Sequence, residues 1–442
     1  MKNRTIAAFA AVTGLTLALT ACSGSDAGDK TSTSASTPAE ITGDITVLTN
    51  RTDIVDTVFQ DYKTQFEAAY PGVNVTFQAI KDYDGEVTTR MSTDDYGDVL
   101  LIPTTVTPAD LGDFFEPLGT VDELSKDYRF ISTEQNFDGM SYGLAITGNV
   151  SGLVYNKKVW ADSGVKSIPT TPDEFLADLA MIKKSSAETV PLYTNYKDGW
   201  PLTQWESNRC EITADANCVN ALAQTDAPWT EGSDHFVIDS LIFDAVAGGL
   251  TEADPTTTNW DQSKIDLATG KIATMALGSW SIQQMMDAAT TAGGDPADIG
   301  YMPFPVQVDG KFHSVASGDW KNGINVHSKN KEAARAWLFW FADESGYANA
   351  NGGLSPRLDG PSPSTLGDFD AADVQYIELT PAAAGEESYV NDIDTQAEIG
   401  LWSPDYRQRL VDAARGASGE NKDAIFADLN SRWADARASV VG

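Results

Sequence analysis

The stretch ITVLTNRTDIVDTVFQDYKTQFEAAYPGVNVTFQAI, residues 45–80, contains the pattern that decides the fold. Its first four residues form an apolar run typical of a buried strand. Val55, Val58, Phe59, Tyr62 and Phe66 then recur at helical spacing. A Pro-Gly stop ends this helix, and an alternating strand follows. A strand, a helix and a strand in this order predict two parallel strands joined by a right-handed crossover.

Polar residues follow each of the first three predicted strands. TNRTD (49–53) follows the first strand, KDYD (81–84) the second, and PTT (103–105) the third, whose apolar run is GDVLLIP. In open sheets of this kind, ligands bind beyond the carboxyl ends of the strands. We therefore expect the three polar exits to meet at one edge of the sheet and to form part of a ligand site.

The first exit supplies three candidate ligand-binding residues, Asn50, Arg51 and Asp53. Two of them also have possible structural roles. Asp53 precedes the helical pattern and is suited to cap the N-terminus of that helix. Arg51 is suited to an ion pair with Asp53, Asp82 or Asp319. A helix cap at Asp53 would not explain why polar residues also stand at Asn50 and Arg51, so these two are the stronger candidates for ligand binding.

The rest of the chain continues the alternation of strands and helices. Thr171 is a plausible cap for a helix that begins at Pro172. The predicted elements are the strands SYGLAI and SGLVYN, separated by TGN, the helix TTPDEFLADLAMIKKSS, the strand PLYTN, the strand KIATMALGS, the helix WSIQQMMDAA, the strands IGYMPFP and KNGINVH, the helix NKEAARAWLFWFADES and a helical tail. Since 442 residues exceed one ordinary core, the pattern predicts an α/β fold with two doubly wound α/β lobes.

The composition limits the classes of ligand and of chemistry. A formal net charge of −34 argues against binding nucleic acid or an anionic membrane through charge, and it permits neutral or cationic ligands. The chain has no GxSxG, P-loop or GxGxxG motif, so we expect no enzyme and no cofactor. Its histidines, at 235, 313 and 327, are not at metal-ligand spacing, and we expect no metal.

The N-terminus is typical of an exported protein. A basic start and an uncharged apolar run predict a signal peptide over residues 1–21. The following LTAC resembles a bacterial lipobox, which implies cleavage before Cys22 and lipid attachment to its thiol; the alternative is a simple secretory signal with a chance cysteine. Residues 22–40 are rich in Ser, Thr, Ala and Gly, a composition typical of a flexible tether.

The two remaining cysteines, Cys210 and Cys218, enclose seven residues. Outside the cytoplasm such a pair usually oxidises, so we expect a disulfide that closes a short segment.

Several motifs occur in the order found in a known family. They are DYGDVLLIP, YGLAITGNVSGLVYNKKVW, GKIATMALGSW, IGYMPFP, GINVHSKNKEAARAWLFWF and GGLSPR. From about Ile45 to its end the chain resembles the solute-binding lipoproteins of ABC importers, the extracellular family that includes maltose-binding protein. The resemblance implies a type II periplasmic-binding-protein-like fold, in which two lobes close by a hinge on a ligand held in the cleft between them.

The resemblance also implies boundaries and partners. The first lobe would contain 41–146 plus 310–350, and the second 147–309 plus 351–442 with the helical tail. The protein would be a monomer on the extracellular face of the bacterial cytoplasmic membrane, anchored through Cys22, and would deliver a carbohydrate, an oligosaccharide in particular, to ABC permease subunits. The Cys210–Cys218 segment is not a general feature of the family.

Sugar recognition needs aromatic plates and planar polar groups, because sugars present flat C–H faces and pairs of hydroxyls. Trp337, Trp340 and Trp433 lie on periodic helices and are expected in the core. Trp280, in GSW, stands at the family's aromatic position; Trp200, in DGWPLTQW, and Trp320, in the Gly-Asp turn SGDWKNG, could equally be packing residues. The full candidate set is Asn50, Arg51, Asp53, Tyr142, Tyr155, Trp200, Trp280, Asp319, Trp320 and Arg357.

Two other functions stay open from the sequence alone. The surplus of acidic residues, 64 Asp and Glu against 30 Lys and Arg, is compatible with a cationic or other polar solute such as a polyamine. A surface glycan-binding adhesin or a glycosidase is the third alternative, because so many acidic residues leave room for a catalytic carboxylate pair.

Overall fold

The computed structural model describes residues 40–442. The predicted signal peptide, Cys22 and all of the tether except Glu40 lie outside the described residues. Among the described residues, no helix combines the length and the apolar character needed to cross a membrane.

The strands of the described part are β1 (Thr42–Thr49), β2 (Gly72–Ala79), β3 (Val99–Leu101), β4 (Gly119–Thr120), β5 (Asn136–Phe137), β6 (Met140–Ser141), β7 (Leu144–Val150), β8 (Leu153–Asn156), β9 (Thr274–Ala276), β10 (Ile299–Met302), β11 (Gln307–Val308), β12 (Lys311–Ile324) and β13 (Gln375–Ile377). The α-helices are α1 (Val58–Ala69), α2 (Tyr83–Arg90), α3 (Leu111–Phe114), α4 (Val121–Leu124), α5 (Lys157–Asp162), α6 (Pro172–Ser185), α7 (Trp200–Thr203), α8 (Cys218–Leu222), α9 (Asp234–Ala247), α10 (Trp260–Ala268), α11 (Ser281–Ala292), α12 (Lys331–Asp343), α13 (Tyr347–Ala350), α14 (Gly367–Ala371), α15 (Tyr389–Ala397), α16 (Asp405–Ala414) and α17 (Lys422–Val440).

The first sheet confirms the strand–helix–strand prediction. β1 lies between β2 and β3 and runs parallel to both, with Thr49 opposite Ala79 and Val47 opposite Val99. β12 then adds antiparallel to β3, and β7 pairs antiparallel with β12. Three parallel strands therefore end at one edge, and the long strand β12 extends from them toward the second part of the fold.

The second sheet has the order β10-β8-β9. β8 runs antiparallel to both neighbours, so β9 and β10 are parallel to each other. The predicted strand PLYTN contributes only one parallel bridge, Leu192 to Thr251, and the preceding Val190 makes another, to Ile272. These two sheets thus combine parallel with antiparallel strands, a small antiparallel sheet of order β4-β6-β5 lies apart from them, and the fold consists of two α/β lobes.

Two strand predictions were wrong in their bounds. The residues TGN continue β7, and the break falls at Ser151 and Gly152. The predicted turn SGDWKNG lies inside β12, which spans fourteen residues, because β7 pairs with it along this stretch. Within the strand Trp320 has a φ of +34°. Pairing with a neighbouring strand overrides the turn composition here.

The helix starts are partly as predicted. Thr171 caps α6 by accepting a hydrogen bond from the Glu174 amide at 3.2 Å. α1 begins only at Val58, with Thr57 at the cap position, so the interpretation of Asp53 as the helix cap is wrong. The carboxylate of Asp53 instead binds Arg51.

Apolar side chains form a core around each sheet. Phe66 packs edge-on against Trp337 at 5.1 Å between α1 and α12, beside the first sheet. α15, α16 and α17 form a further cluster around Trp433. Trp337, Trp340 and Trp433 are at most 5% exposed, which confirms their predicted place in the core.

Candidate functional site

A cavity of about 350 Å³ lies beside the paired strands β7 and β12 and the turn that joins β9 to α11. The 3-10 turn Gln204–Asn208 and Arg209 form another wall. The residues that line it are Asn149, Val150, Ser151, Gln204, Glu206, Ser207, Arg209, Gly278, Trp280, Val315, Ser317, Gly318, Asp319, Leu379 and Trp402. Its size falls within the range of about 300–1,000 Å³ common for small-molecule sites.

Trp280 stands at the junction of β9 and α11 and lines the cavity. A Cβ placed on Gly278 would lie 2.6 Å from the indole Nε1 and 2.7 Å from Cδ1 of Trp280. Only a glycine therefore lets the indole ring lie against this backbone. The sequence GSW thus fixes the position of the ring through its first residue.

A chain of hydrogen bonds joins this turn to the paired strands β7 and β12. The Ser279 hydroxyl accepts from the Val150 amide at 3.0 Å and lies 3.3 Å from Asn149 Oδ1. Asn149 Nδ2 donates to Asp319 Oδ2 at 3.1 Å. Asp319 Oδ1 has no hydrogen-bond partner in the part of the chain that the structure describes. Asp319 therefore offers a fixed acceptor to the contents of the cavity.

Trp280 belongs to a group of three neighbouring indole rings. The Trp200 ring centroid lies 4.9 Å from that of Trp260 and 5.8 Å from that of Trp280, and Trp260 and Trp280 are 6.1 Å apart. Trp200 is 38% exposed. The three rings extend the aromatic surface from the cavity wall toward solvent.

Ion pairs hold Glu206 and Arg209 in the cavity wall. Glu206 is fully buried and accepts from Arg209 Nη1 at 2.6 Å and from Arg407 Nη2 at 2.6 Å. Its carboxylate also lies 3.1 Å from His235 Nε2. Burial raises the pKa of Glu206, but His235, Arg209 and Arg407 outweigh burial and hold that pKa well below its usual range.

The exit of β1 lies beside Tyr347 on α13. Arg51 Nη1 donates to the Tyr347 hydroxyl, and burial raises the pKa of Tyr347, with the charges of Asp319 and Asp53 adding to the rise and Arg51 opposing it. The Oδ1 of Asn50 is buried and has no hydrogen-bond partner among residues 40–442. The expected ion pair of Arg51 with Asp53 is present at 2.8 Å.

The structure brings together only part of the predicted set. Trp280 and Asp319 line the cavity, and Trp200 touches Trp280. Trp320 packs against Tyr83 at 5.4 Å. None of the remaining candidates lines this cavity.

Those remaining candidates make other contacts. The Tyr155 hydroxyl donates to Asp368 Oδ2 at 3.3 Å, beside a different cavity of about 630 Å³. Tyr142 lies over Gly112, where an added Cβ would be 3.3 Å from its hydroxyl. Arg357 pairs with Asp343 at 3.4 Å and with Asp359 at 2.7 Å.

Sequence reasoning missed several residues of the wall. Asn149 lies in the motif YGLAITGNVSGLVYNKKVW and Gln204 in DGWPLTQW, but neither carries a signal of its own for ligand binding, and Arg209 sits in a segment without a motif. Trp260 follows the turn residues TTTN and could have been found as another loop tryptophan. Within residues 40–442, no group of three His, Cys, Asp or Glu side chains is placed to hold a metal ion.

The fold and the cavity define a two-lobe solute-binding protein. The sequence pattern of the family described as bacterial extracellular solute-binding protein matches residues 50–348, and the chain belongs to this family. Over 446 aligned residues it is 28% identical to the diacetylchitobiose binding protein DasA of Streptomyces coelicolor, covering 95% of this chain and 98% of DasA.

Two solved structures from Bifidobacterium animalis subsp. lactis are similar over 92% of this chain and 97% of their own. One is BlMnBP1, a binding protein of an ABC transporter in complex with mannobiose, with 33% identity and a TM-score of 0.75. The other is BlMnBP2, a manno-oligosaccharide specific solute binding protein in complex with mannotriose, with 32% identity and a TM-score of 0.75.

Proposed function

We propose that this protein is the substrate-binding component of an ABC importer and captures an oligosaccharide in the cavity beside Trp280. The observation that carries the proposal is the pairing of the Trp280 ring with the free Oδ1 of Asp319 in one cavity. An indole face packs on the C–H face of a sugar ring, and a carboxylate oxygen accepts from its hydroxyl. The ligands named for DasA, BlMnBP1 and BlMnBP2 are short oligosaccharides, which supports the same class of ligand here.

The cavity is poorly suited to a polyamine. Its two carboxylates belong to Glu206 and Asp319. Glu206 is already paired with Arg209 and Arg407. A polycation would therefore meet one available carboxylate and the positive guanidinium of Arg209, so this alternative loses its support.

The same pairing argues against a glycosidase. Hydrolysis needs one carboxyl group that stays protonated as the general acid. The pKa of Glu206 is held below its usual range by three basic neighbours, so it stays ionised. Asp319 alone cannot supply both roles, and we propose a binding protein without catalytic activity.

Isothermal titration calorimetry of the mature chain tests the proposal. The panel contains mannobiose, mannotriose, diacetylchitobiose, a maltose series and spermidine. We expect at least one oligosaccharide to bind with a micromolar or tighter Kd and spermidine to give no heat. The proposal fails if all of the saccharides are silent and spermidine binds.

A matched pair of variants ties binding to the cavity. Trp280→Ala removes the aromatic plate, and we expect about 30-fold weaker binding, equivalent to about 2 kcal/mol for an aromatic anchor. Phe137→Ala removes an aromatic side chain that is 44% exposed on β5, outside the cavity, and should leave the Kd unchanged. Equal effects of both changes would show that the site lies elsewhere.

We also propose that Cys22 carries the lipid that anchors the protein to the outer face of the cytoplasmic membrane. The basic start, the apolar run and LTAC support this assignment. Metabolic labelling with palmitate should mark the wild-type protein and not Cys22→Ser, which should appear in the culture medium. Unlabelled wild-type protein that is found in the medium would contradict the anchor.

A further inference from the structure

We propose that Arg209 is a specificity-determining residue of this cavity, which donates two hydrogen bonds to neighbouring oxygens of the bound sugar and holds Trp402 as a second aromatic wall. The inference rests on the proposed function, because the ligand it describes is the oligosaccharide of that site. Neither residue is in the set predicted from the sequence.

Arg209 has hydrogen-bond donors that the protein does not use. The residue is 8% exposed and lines the cavity. Its Nη1 donates to Glu206, whereas Nε and Nη2 have no hydrogen-bond partner in the described part of the chain. A guanidinium carries five N–H donors, and neither Nε nor Nη2 is among the fully buried atoms of the described residues that lack a partner. Both groups are therefore open to water or a ligand in the cavity.

A buried cluster of charges fixes the guanidinium in place. Glu206 is 0% exposed and binds Arg209 and Arg407 at 2.6 Å each. Arg407, also 0% exposed, pairs at 3.1 Å with Asp239 on α9. Arg209 thus already has Glu206 as its counter-charge at 2.6 Å, in a cluster that also contains His235 beside Glu206. It therefore needs no negative charge from the ligand, and the hydroxyl and ether oxygens of a neutral sugar suffice.

The same guanidinium supports the exposed ring of Trp402. Arg209 Cζ lies 5.2 Å from the centroid of this ring. Trp402 is 55% exposed and follows α15, in the segment that precedes α16. Cation–π contact holds the ring against the cavity mouth. Trp402 and Trp280 line the same cavity, so the bound sugar has two indole rings available for packing.

The geometry selects a class of ligand. A guanidinium fork donates to two oxygens on adjacent atoms, and its planar shape favours a pair that lies in one plane. Asp319 Oδ1 accepts a hydroxyl proton in the same cavity. The arrangement fits a sugar residue with a vicinal hydroxyl pair facing Arg209. Removing one hydroxyl of that pair would leave an N–H of Arg209 unpaired.

The test is calorimetry of the mature chain with the oligosaccharide that binds in the panel and with its monodeoxy analogues. For the wild-type protein we expect one vicinal pair of hydroxyls whose single removal matters: either monodeoxy analogue should bind about 10- to 100-fold more weakly than the parent sugar. This is the range typical of a hydrogen bond to a charged group. In Arg209→Gln the Kd of the parent sugar should rise by a similar factor. The two deoxy analogues should then bind no more weakly than the parent sugar does. If Arg209 had a purely structural role, Arg209→Gln would weaken the binding of every ligand by the same factor and would keep the difference in affinity between the parent sugar and its analogues. That result would overturn the proposal.

Two further variants keep the test independent of folding. Arg209→Lys keeps the charge beside Glu206 but loses the fork, and we expect it to retain the wild-type unfolding midpoint while losing the discrimination. Trp402→Ala changes an exposed residue, and we expect at least 10-fold weaker binding at an unchanged midpoint; an unchanged Kd overturns the role of the ring. If the wild-type protein binds no saccharide, the proposed function itself fails. If Arg209→Gln binds tightly and still distinguishes the parent sugar from its deoxy analogues, only this inference is overturned.

Discussion

The guanidinium of Arg51 donates a hydrogen bond to the Tyr347 hydroxyl at 2.9 Å, although 296 positions separate the two residues. The same Nη1 donates to Asn351 Oδ1 at 2.8 Å, and Nε and Nη2 bind the Asp53 carboxylate. One side chain therefore ties the exit of β1 to the region of α13.

Arg51→Ala should lower the free energy of unfolding by about 1–3 kcal/mol, because the buried Tyr347 hydroxyl loses its partner. Urea unfolding followed by circular dichroism measures the change. Arg51→Lys retains the charge without the fork and should fall between alanine and wild type. A midpoint for Arg51→Ala that equals wild type would contradict a structural role for these bonds.

Gly278→Ala should weaken ligand binding by about tenfold or more while every aromatic residue is retained. The added methyl would overlap the indole of Trp280, and overpacking of this kind costs about 1–3 kcal/mol, which displacement of the ring relieves. Calorimetry with the best oligosaccharide gives the change in Kd. Gly367→Ala is the matched control, since a Cβ there meets nothing within 4 Å, and it should bind as wild type does.

Glu211→Gln should make the protein more stable at pH 8 and leave it nearly unchanged at pH 4. Glu211 Oε1 accepts from the Val315 amide at 2.9 Å, and its buried Oε2 has no partner among the described residues. Burial raises the pKa of Glu211 well above its ordinary value of 4.5. A raised pKa gives stability that is complete below about 4.5 and declines as the pH rises toward the folded-state pKa.

Urea unfolding at both pH values measures the stability of Glu211→Gln, whose amide mimics the protonated carboxyl group. Glu188→Gln removes an exposed carboxylate and should leave the difference between the two pH values as in wild type. If Glu211→Gln is destabilised most at pH 8, the carboxylate is charged and useful in the folded protein, which is the opposite of our expectation.

Replacing Cys210 and Cys218 together by serine should lower the free energy of unfolding by about 2–3 kcal/mol, the loop-entropy contribution of a bridge across so short a segment. Urea unfolding with and without dithiothreitol measures it. Reductant should destabilise wild type and have no effect on the double variant. An effect on both proteins would point to a cause other than this bond.

Local periodicity was sufficient for the elements whose own residue spacing carries the signal. The spacing of Phe59, Tyr62 and Phe66 predicted α1, and the apolar runs predicted β1 and β3. β12 could not be found in full, because Gly318 and Asp319 have turn composition and their strand conformation comes from pairing with β7, more than 160 residues earlier.

The site was predictable only where one residue carried its own signal. Trp280 stands after a strand exit and before a helix, a position visible in the sequence. Arg209 has no such signal, because its role depends on residues far away in the sequence. It supports the ring of Trp402, and Arg407 helps to hold the Glu206 carboxylate that fixes the Arg209 side chain. Pairs so far apart in sequence meet only through tertiary packing. For the same reason the partner of Arg51 on α13 was not foreseen.

The proximity of Trp200, Trp260 and Trp280 has an optical consequence. Indole rings whose centroids lie within 6.1 Å of one another exchange excitation energy and couple their electronic transitions. These three rings are among the eleven tryptophans of the chain. A molecule seated on Trp280 alters the whole trio, so the near-ultraviolet dichroism of the unlabelled protein is a built-in reporter of occupancy.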